Sequence, residues 1–128
     1  MNYKERKLKA KEWGQKAEDI AAEYLAAQGY VVRERNWSPR GAHVELDIIS
    51  QSDNTIIFVE VKARSGNYED PADAVDERKI RRIARAADAY LRLLPDDFEY
   101  RFDIITVSGN ASSWTLDHIP DAFLPPLS

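Results

Sequence analysis

Apolar residues recur at helical spacing in two parts of the chain, and each part predicts an amphipathic helix. The first predicted helix covers residues 13–28 and ends at Gly29, a residue common just after the last turn of a helix. Its apolar face contains Ala17, Ile20, Ala21, Tyr24 and Leu25.

The second predicted helix begins near Asp70, Pro71 and Asp73 and ends at Leu94, before Pro95. An acidic cap, a first-turn proline and an acid in the first turn are typical of a helix start. One face of this helix is apolar. The opposite face is basic and carries Arg78, Arg81, Arg82, Arg85 and Arg92.

Five segments have the alternating pattern of β-strands. They cover residues 30–36, 43–50, 55–62, 101–107 and 113–119. The segment 55–62 is apolar on both faces in its first half, which is typical of a central strand. The resulting order, αβββαββ, predicts a single α/β domain over residues 1–128.

The composition excludes several classes of protein. The chain has 128 residues, 44% hydrophobic and 31% charged, which is typical of a globular domain. With no cysteine and two histidines, disulfide frameworks and thiolate zinc sites are excluded, so we expect any metal to be bound by oxygen. No apolar run is long enough for a membrane span and the N-terminus is too charged for a signal peptide, so we expect a cytoplasmic protein that does not bind membranes.

The distribution of charge is more informative than the net charge of -4. An acidic protein is not typical of dedicated nucleic-acid binders. However, residues 1–16 hold six Lys or Arg against two Glu, and residues 78–92 hold six against one Asp. Part of the compensating acid lies in the middle of the chain, at Glu45, Asp47 and Glu60.

Strand geometry predicts where these acids point. Side chains alternate along a strand, so Glu45 and Asp47 should lie on one face of the second strand. The apolar residues Val44, Leu46 and Ile48 should then share the other face.

If the second and third strands are neighbours, Glu60 and Lys62 converge with Glu45 and Asp47. A cluster of buried charge persists only if it is paired, solvated or occupied by a cation, and Mg²⁺ suits carboxylate oxygens. Asp47 and Glu60 could hold the metal and Lys62 could orient a water for phosphodiester hydrolysis. The alternative interpretation is structural, with a Glu60–Lys62 ion pair and Asp47 capping a turn.

Several segments occur in a recognisable order, namely GQKAEDIAAEYLAAQGY, VRERNW, VELDII, IIFVEVKAR and KIRRIARAADAYL. Together they resemble the YraN family of small bacterial proteins, over residues 14–123. That family is related to the restriction-endonuclease-like PD-(D/E)XK nucleases and the archaeal Holliday junction resolvases. The resemblance implies a restriction-endonuclease-like fold, with a mixed central sheet flanked by helices. The family usually has glycine where this chain has Val44, and the nearest preceding glycine here is Gly41, which implies a rearranged loop before the strand.

The resemblance also implies roles for particular residues. The acids of the site would be Glu18, Glu45, Asp47 and Glu60, with Lys62 as the catalytic lysine and Asp47, Glu60 and Glu45 as metal ligands. The nucleic-acid-binding positions would be Arg64, Lys79 and Arg82. Arg40 joins them as part of a group with Trp37, Arg33 and Arg35 that could clamp a nucleic acid, although core packing is the alternative role for Trp37.

These observations predict a metal-dependent endonuclease, using Mg²⁺ or Mn²⁺, that acts on a structured nucleic acid in repair or recombination. We expect DNA as the substrate and leave open a homodimer or an accessory protein, because cutting two strands requires two sites. The alternative is a non-catalytic module on a nuclease fold that binds nucleic acid or a partner protein. A purely structural protein is the third hypothesis.

Overall fold

A computed structural model describes residues 1–65 and 76–123. Its elements follow the predicted order αβββαββ. They are α1 (Tyr3–Ala27), β1 (Val31–Trp37), β2 (Leu46–Ser52), β3 (Thr55–Arg64), α2 (Glu77–Arg92), β4 (Glu99–Asn110) and β5 (Ser113–Ile119).

The strands form one five-stranded sheet in the order β1-β2-β3-β4-β5. Adjacent strands are antiparallel except β3 and β4, which run parallel from the pair Thr55–Glu99 to the pair Arg64–Ser108. A parallel pair requires a crossover connection, and α2 lies in the crossover between β3 and β4. The predicted mixed α/β architecture is therefore confirmed.

The two helices cover opposite faces of this sheet because β3 is apolar on both sides, as predicted for a central strand. Ile57 and Val59 pack in the cluster that contains α1, whereas Ile56 and Phe58 pack in the cluster that contains α2. Burial of these side chains removes apolar surface from water and is the main contribution to stability.

Helix α1 begins ten residues before the predicted start at Trp13. Its N-cap is Asn2, whose side-chain oxygen accepts a hydrogen bond from the Glu5 amide at 2.8 Å. Residues 3–12 are all exposed, so they carry no apolar periodicity by which the sequence could have revealed this part of the helix.

Helix α2 is shorter at its end than predicted and stops at Arg92 rather than Leu94. Its N-cap is Asp76, whose carboxylate accepts a hydrogen bond from the Lys79 amide at 2.8 Å. The predicted start at Asp70, Pro71 and Asp73 lies outside the described residues. No helix within the described ranges is long and apolar enough to cross a membrane.

The hairpin between β4 and β5 requires glycine at position 109. Gly109 has φ of +129°, a conformation that L side chains rarely adopt, and it pairs with Trp114 across the ladder. A β-carbon at Gly109 would collide with the backbone oxygen of Ser113 and lie 3.0 Å from the α-carbon of Trp114.

We expect Gly109→Ala to lower the free energy of unfolding by about 2 kcal/mol or more, because both φ and the neighbouring backbone oppose the substitution. Gly14→Ala is the matched control. Gly14 is in α1 with open space around it, so alanine there should stabilise the protein by up to about 1 kcal/mol. Urea denaturation of both variants measures their free energies of unfolding. Equal effects of the two substitutions would contradict the requirement for glycine at position 109.

Candidate active site

The candidate site lies where β2 and β3 separate. Their ladder ends at the pair Ile48–Val59. Beyond it, the Asp47 Oδ2 atom accepts a hydrogen bond from the Val61 amide at 2.8 Å. The side chain of Asp47 therefore takes the place of a backbone acceptor, and it lies beside Glu60, the next residue along β3.

This separation also changes the faces of β2. Ile48 packs in the α1 cluster, whereas Leu46 and Val44 pack in the α2 cluster. The prediction that Val44, Leu46 and Ile48 share one face is therefore wrong. Before Ile48 the backbone is no longer paired with β3, and Leu46 pairs only with Trp37 of β1.

The carboxyl group of Asp47 has a strongly perturbed affinity for protons. Burial and the neighbouring charge of Glu60 raise the pKa of Asp47 to about 8, against the opposing effect of the Val61 hydrogen bond. Glu18 on α1 adds to the increase. The structure thus brings together three of the predicted acids, one from each of α1, β2 and β3.

Glu60 is 8% exposed and has a basic partner on α2. The Lys79 Nζ atom lies 2.6 Å from Glu60 Oε1, and the side chain of Lys79 is half exposed. Sequence reasoning treated Lys79 as a phosphate-binding residue and did not find this ion pair. A contact between the first turn of α2 and β3 depends on tertiary packing and has no local signal in the sequence.

Glu18 is held by an arginine from β1. Arg35 Nη2 lies 3.2 Å from Glu18 Oε1 and 2.7 Å from Asp19 Oδ1. The hydrogen bond to Asp19 is the largest cause of the raised pKa of Arg35. Arg35 therefore positions the acids of α1, a role that differs from the nucleic-acid clamp considered in the sequence.

Glu45 is exposed and precedes the first residue of β2. Among the residues that the structure describes, no three or more carboxylate or histidine side chains are arranged to hold a metal ion. Glu45 consequently does not complete a metal cage with Asp47 and Glu60. The strand begins after Glu45, so the alternation that should have aligned Glu45 with Asp47 does not extend to it.

The basic residues predicted to bind nucleic acid occupy different parts of the surface. Lys62 and Arg64 continue along β3 beyond Glu60 and line an open groove with Thr106 of β4 and Asp117 of β5. Arg82 is exposed on α2, one turn after Lys79.

The residues grouped with Trp37 in the sequence lie in different surroundings. Arg40 is exposed in the loop before β2. Trp37 packs edge-on against Tyr90, with ring centroids 5.2 Å apart, so its core role is the one observed.

A second charged network lies on the α1 side of the sheet. Asp103 is fully buried and accepts two 2.8 Å hydrogen bonds from Arg101, together with one from the Asp121 amide. Nε2 of His118 lies 2.7 Å from Asp103, and its Nδ1 lies 2.9 Å from the hydroxyl of Tyr24. Burial acts to raise the pKa of Asp103, but these partners hold it below its ordinary value. The charge of Asp103 is therefore compensated by its partners, chiefly by the guanidinium group of Arg101.

Fold and site together define a small mixed α/β protein with an acidic cluster at the point where two central strands separate. The sequence profile of the uncharacterised protein family UPF0102, to which the YraN proteins belong, matches residues 17–107. The chain belongs to this family, which confirms the resemblance found in the sequence.

The relatives are similar over nearly their whole length. A UPF0102 protein of Bacteroides thetaiotaomicron is 48% identical over 117 residues, which is 91% of this chain and 95% of the relative. A UPF0102 protein of Chlorobium chlorochromatii is 44% identical, over 88% of this chain and 91% of the relative. A UPF0102 protein of Myxococcus xanthus is 41% identical, over 88% of this chain and 90% of the relative.

The raised pKa of Asp47 predicts how stability depends on pH. Between about pH 4 and pH 8 the folded state retains a proton that the unfolded state releases, so stability falls as pH rises through this window. Asp47→Asn removes the charge and keeps an oxygen for the Val61 amide. The stabilising effect of this substitution should grow by on the order of 4 kcal/mol between pH 5 and pH 9.

The control is Asp53→Asn, at an exposed turn whose φ of 50° suits both residues. Its effect should be the same at both pH values. Urea denaturation at pH 5 and pH 9 provides the measurement, and a constant effect of Asp47→Asn would contradict titration of this carboxyl group between the two pH values in the folded protein.

Proposed function

We propose that this protein is a metal-dependent endonuclease with a restriction-endonuclease-like fold, and that Asp47 and Glu60 form the centre of its active site. The observation that supports this proposal best is the placement of two carboxyl groups from adjacent strands, one of them with its pKa raised to about 8. Strongly perturbed acids that are not fully compensated concentrate at functional sites.

The donor set suits a hard divalent cation. Mg²⁺ is commonly bound through one or two carboxylates, with water and substrate oxygens completing its shell. Asp47 and Glu60 would hold Mg²⁺ or Mn²⁺, and Glu18 adds negative charge nearby. When bound, such a metal would stabilise charge on a phosphate and acidify a coordinated water. A dication would also relieve the repulsion that now raises the pKa of Asp47.

The remaining residues would orient the substrate and balance charge. Lys62 lies two residues beyond Glu60, so the two side chains point to the same face of β3. Its ammonium group would orient the attacking water or neutralise charge that develops on the phosphate. Arg64 and Arg82 would contact substrate phosphates on either side of the candidate active site. Lys79 would also contact a phosphate when released from Glu60.

We expect DNA to be the substrate, processed in repair or recombination in the cytoplasm. A second copy of the chain or an accessory protein would supply the second site needed to cut both strands of a duplex.

The alternative function is a binding module that does not cut. The ion pair between Lys79 and Glu60 favours this alternative, since it neutralises one of the two central acids without a metal. In such a module the acids would be structural, and Arg64 and Arg82 would contribute to the binding of nucleic acid.

Cleavage of labelled branched, flapped, linear and single-stranded DNA tests the proposal. The parent should cut at least one substrate only with Mg²⁺ or Mn²⁺. Asp47→Asn, Glu60→Gln and Lys62→Gln should each reduce the rate by about a hundredfold or more, because each removes a metal ligand or a charge at the phosphate. Asp53→Asn is the control. Salt-dependent binding without cleavage by the parent would support the module instead.

Measuring metal binding distinguishes the metal-dependent endonuclease from the binding module without an activity assay. Lys79→Ala removes a cation that competes for Glu60, so it should tighten Mn²⁺ binding several-fold in calorimetry while lowering the melting temperature without metal. Arg82→Ala, one turn along the same helix, should leave Mn²⁺ affinity unchanged. Weaker Mn²⁺ binding by Lys79→Ala would contradict competition at Glu60.

A further inference from the structure

The first turns of α1 form an exposed arm, defined as residues 3–12. All ten residues are exposed, and at 1.5 Å per residue they extend about 15 Å. The helix meets the sheet at Trp13, whose indole N–H donates a 3.1 Å hydrogen bond to the backbone oxygen of Arg64. The arm therefore leaves the sheet at the end of β3, the strand that carries Glu60 and Lys62.

A groove runs between this helix, the end of β3 and the β4–β5 turn, with a volume of about 980 Å³. We call it the arm groove. Four basic residues line it, namely Arg6, Lys9 and Lys16 of α1 and Arg64 of β3, together with the acid Glu12. Arg6, Lys9 and Lys16 follow helical spacing, so they form one stripe. Lys4, Lys7 and Lys11 form a second stripe, and none of them lines the groove.

We infer that the arm groove binds the phosphate backbone of duplex DNA and extends the substrate-binding surface beyond the candidate active site. This inference rests on the proposed function for the identity of the substrate. The connection between the two regions is Arg64, which lines both the arm groove and the groove beside Lys62. Basic side chains thus follow one path from Lys62 through Arg64 to the arm.

The charge of the whole protein makes a local basic surface necessary. With a net charge of -4, the protein as a whole repels a polyanion, so attraction must come from a concentrated patch. The segment 1–16 supplies it, with six Lys or Arg against two Glu.

An anionic membrane fits the arm less well than DNA does. Membrane-surface helices have a continuous apolar face opposite their basic face. In residues 3–12 the apolar positions are Tyr3, Leu8 and Ala10, and the spacing from Leu8 to Ala10 places them on different sides of the helix.

Two triple variants with identical charge changes test the inference. The groove variant is Arg6→Gln, Lys9→Gln and Lys16→Gln, and the control is Lys4→Gln, Lys7→Gln and Lys11→Gln. Each removes three positive charges from the same helix, and circular dichroism checks that both remain folded. Binding to a fluorescein-labelled 20-base-pair duplex is measured by anisotropy over a range of salt concentrations, with EDTA to prevent cleavage.

The groove variant should bind DNA about tenfold more weakly or worse, with a salt dependence shallower by roughly two to three counterions. The control variant should lose less than about threefold in affinity for the duplex. Equal losses in both variants, or no loss in either, would overturn the inference. So would binding to phosphatidylglycerol vesicles through the groove stripe without binding to DNA.

Because the assay measures binding in EDTA, its result is independent of catalysis. A selective loss in the groove variant supports the arm groove even if the parent never cleaves DNA, in which case the endonuclease proposal alone fails. Cleavage by the parent that the groove variant retains at full efficiency, with unchanged DNA affinity, would overturn the arm groove and leave the endonuclease intact.

Discussion

The hydrogen bond from the Val61 amide to the carboxyl group of Asp47 connects the sheet to the candidate site. A backbone N–H in the middle of a sheet needs an acceptor, and the separation of β2 from β3 removes the one that a regular ladder would provide. Asp47 supplies it. The same separation makes the room in which Asp47 lies beside Glu60, so the geometry of the site is a consequence of how the ladder ends.

The buried Asp103 and the partly buried Asp47 show opposite electrostatic behaviour. Asp103 has a bidentate arginine, a histidine and a backbone amide, and these partners lower its pKa despite burial. Asp47 has one amide and an acidic neighbour, and its pKa rises to about 8. A fully compensated charge is what a structural role requires. An uncompensated one costs stability, and such a cost is typical of residues retained for binding or chemistry.

The sequence predicted those features that depend on local periodicity. The order of elements, the central position of β3 and the meeting of Asp47 with Glu60 follow from alternation along strands and from the apolar first half of β3. The start of α1 could not be predicted, since residues 3–12 are mostly charged and their few apolar side chains form no continuous stripe. The partners of Glu18 and Glu60 could not be predicted either. Arg35 and Lys79 reach them from β1 and α2, and such contacts depend on how distant elements pack.

The hydrogen bond between Tyr24 and His118 joins residues 94 positions apart. Tyr24 is in α1, which is synthesised first, whereas His118 is in β5, the last strand of the sheet. During synthesis on the ribosome, the apolar face of α1 therefore stays exposed to solvent until β3, β4 and finally β5 emerge. Contacts of such high sequence separation form slowly, because closing the intervening chain costs entropy before the contact contributes. This side of the core is thus completed only after β5 has emerged, and the nascent helix remains accessible to chaperones until then.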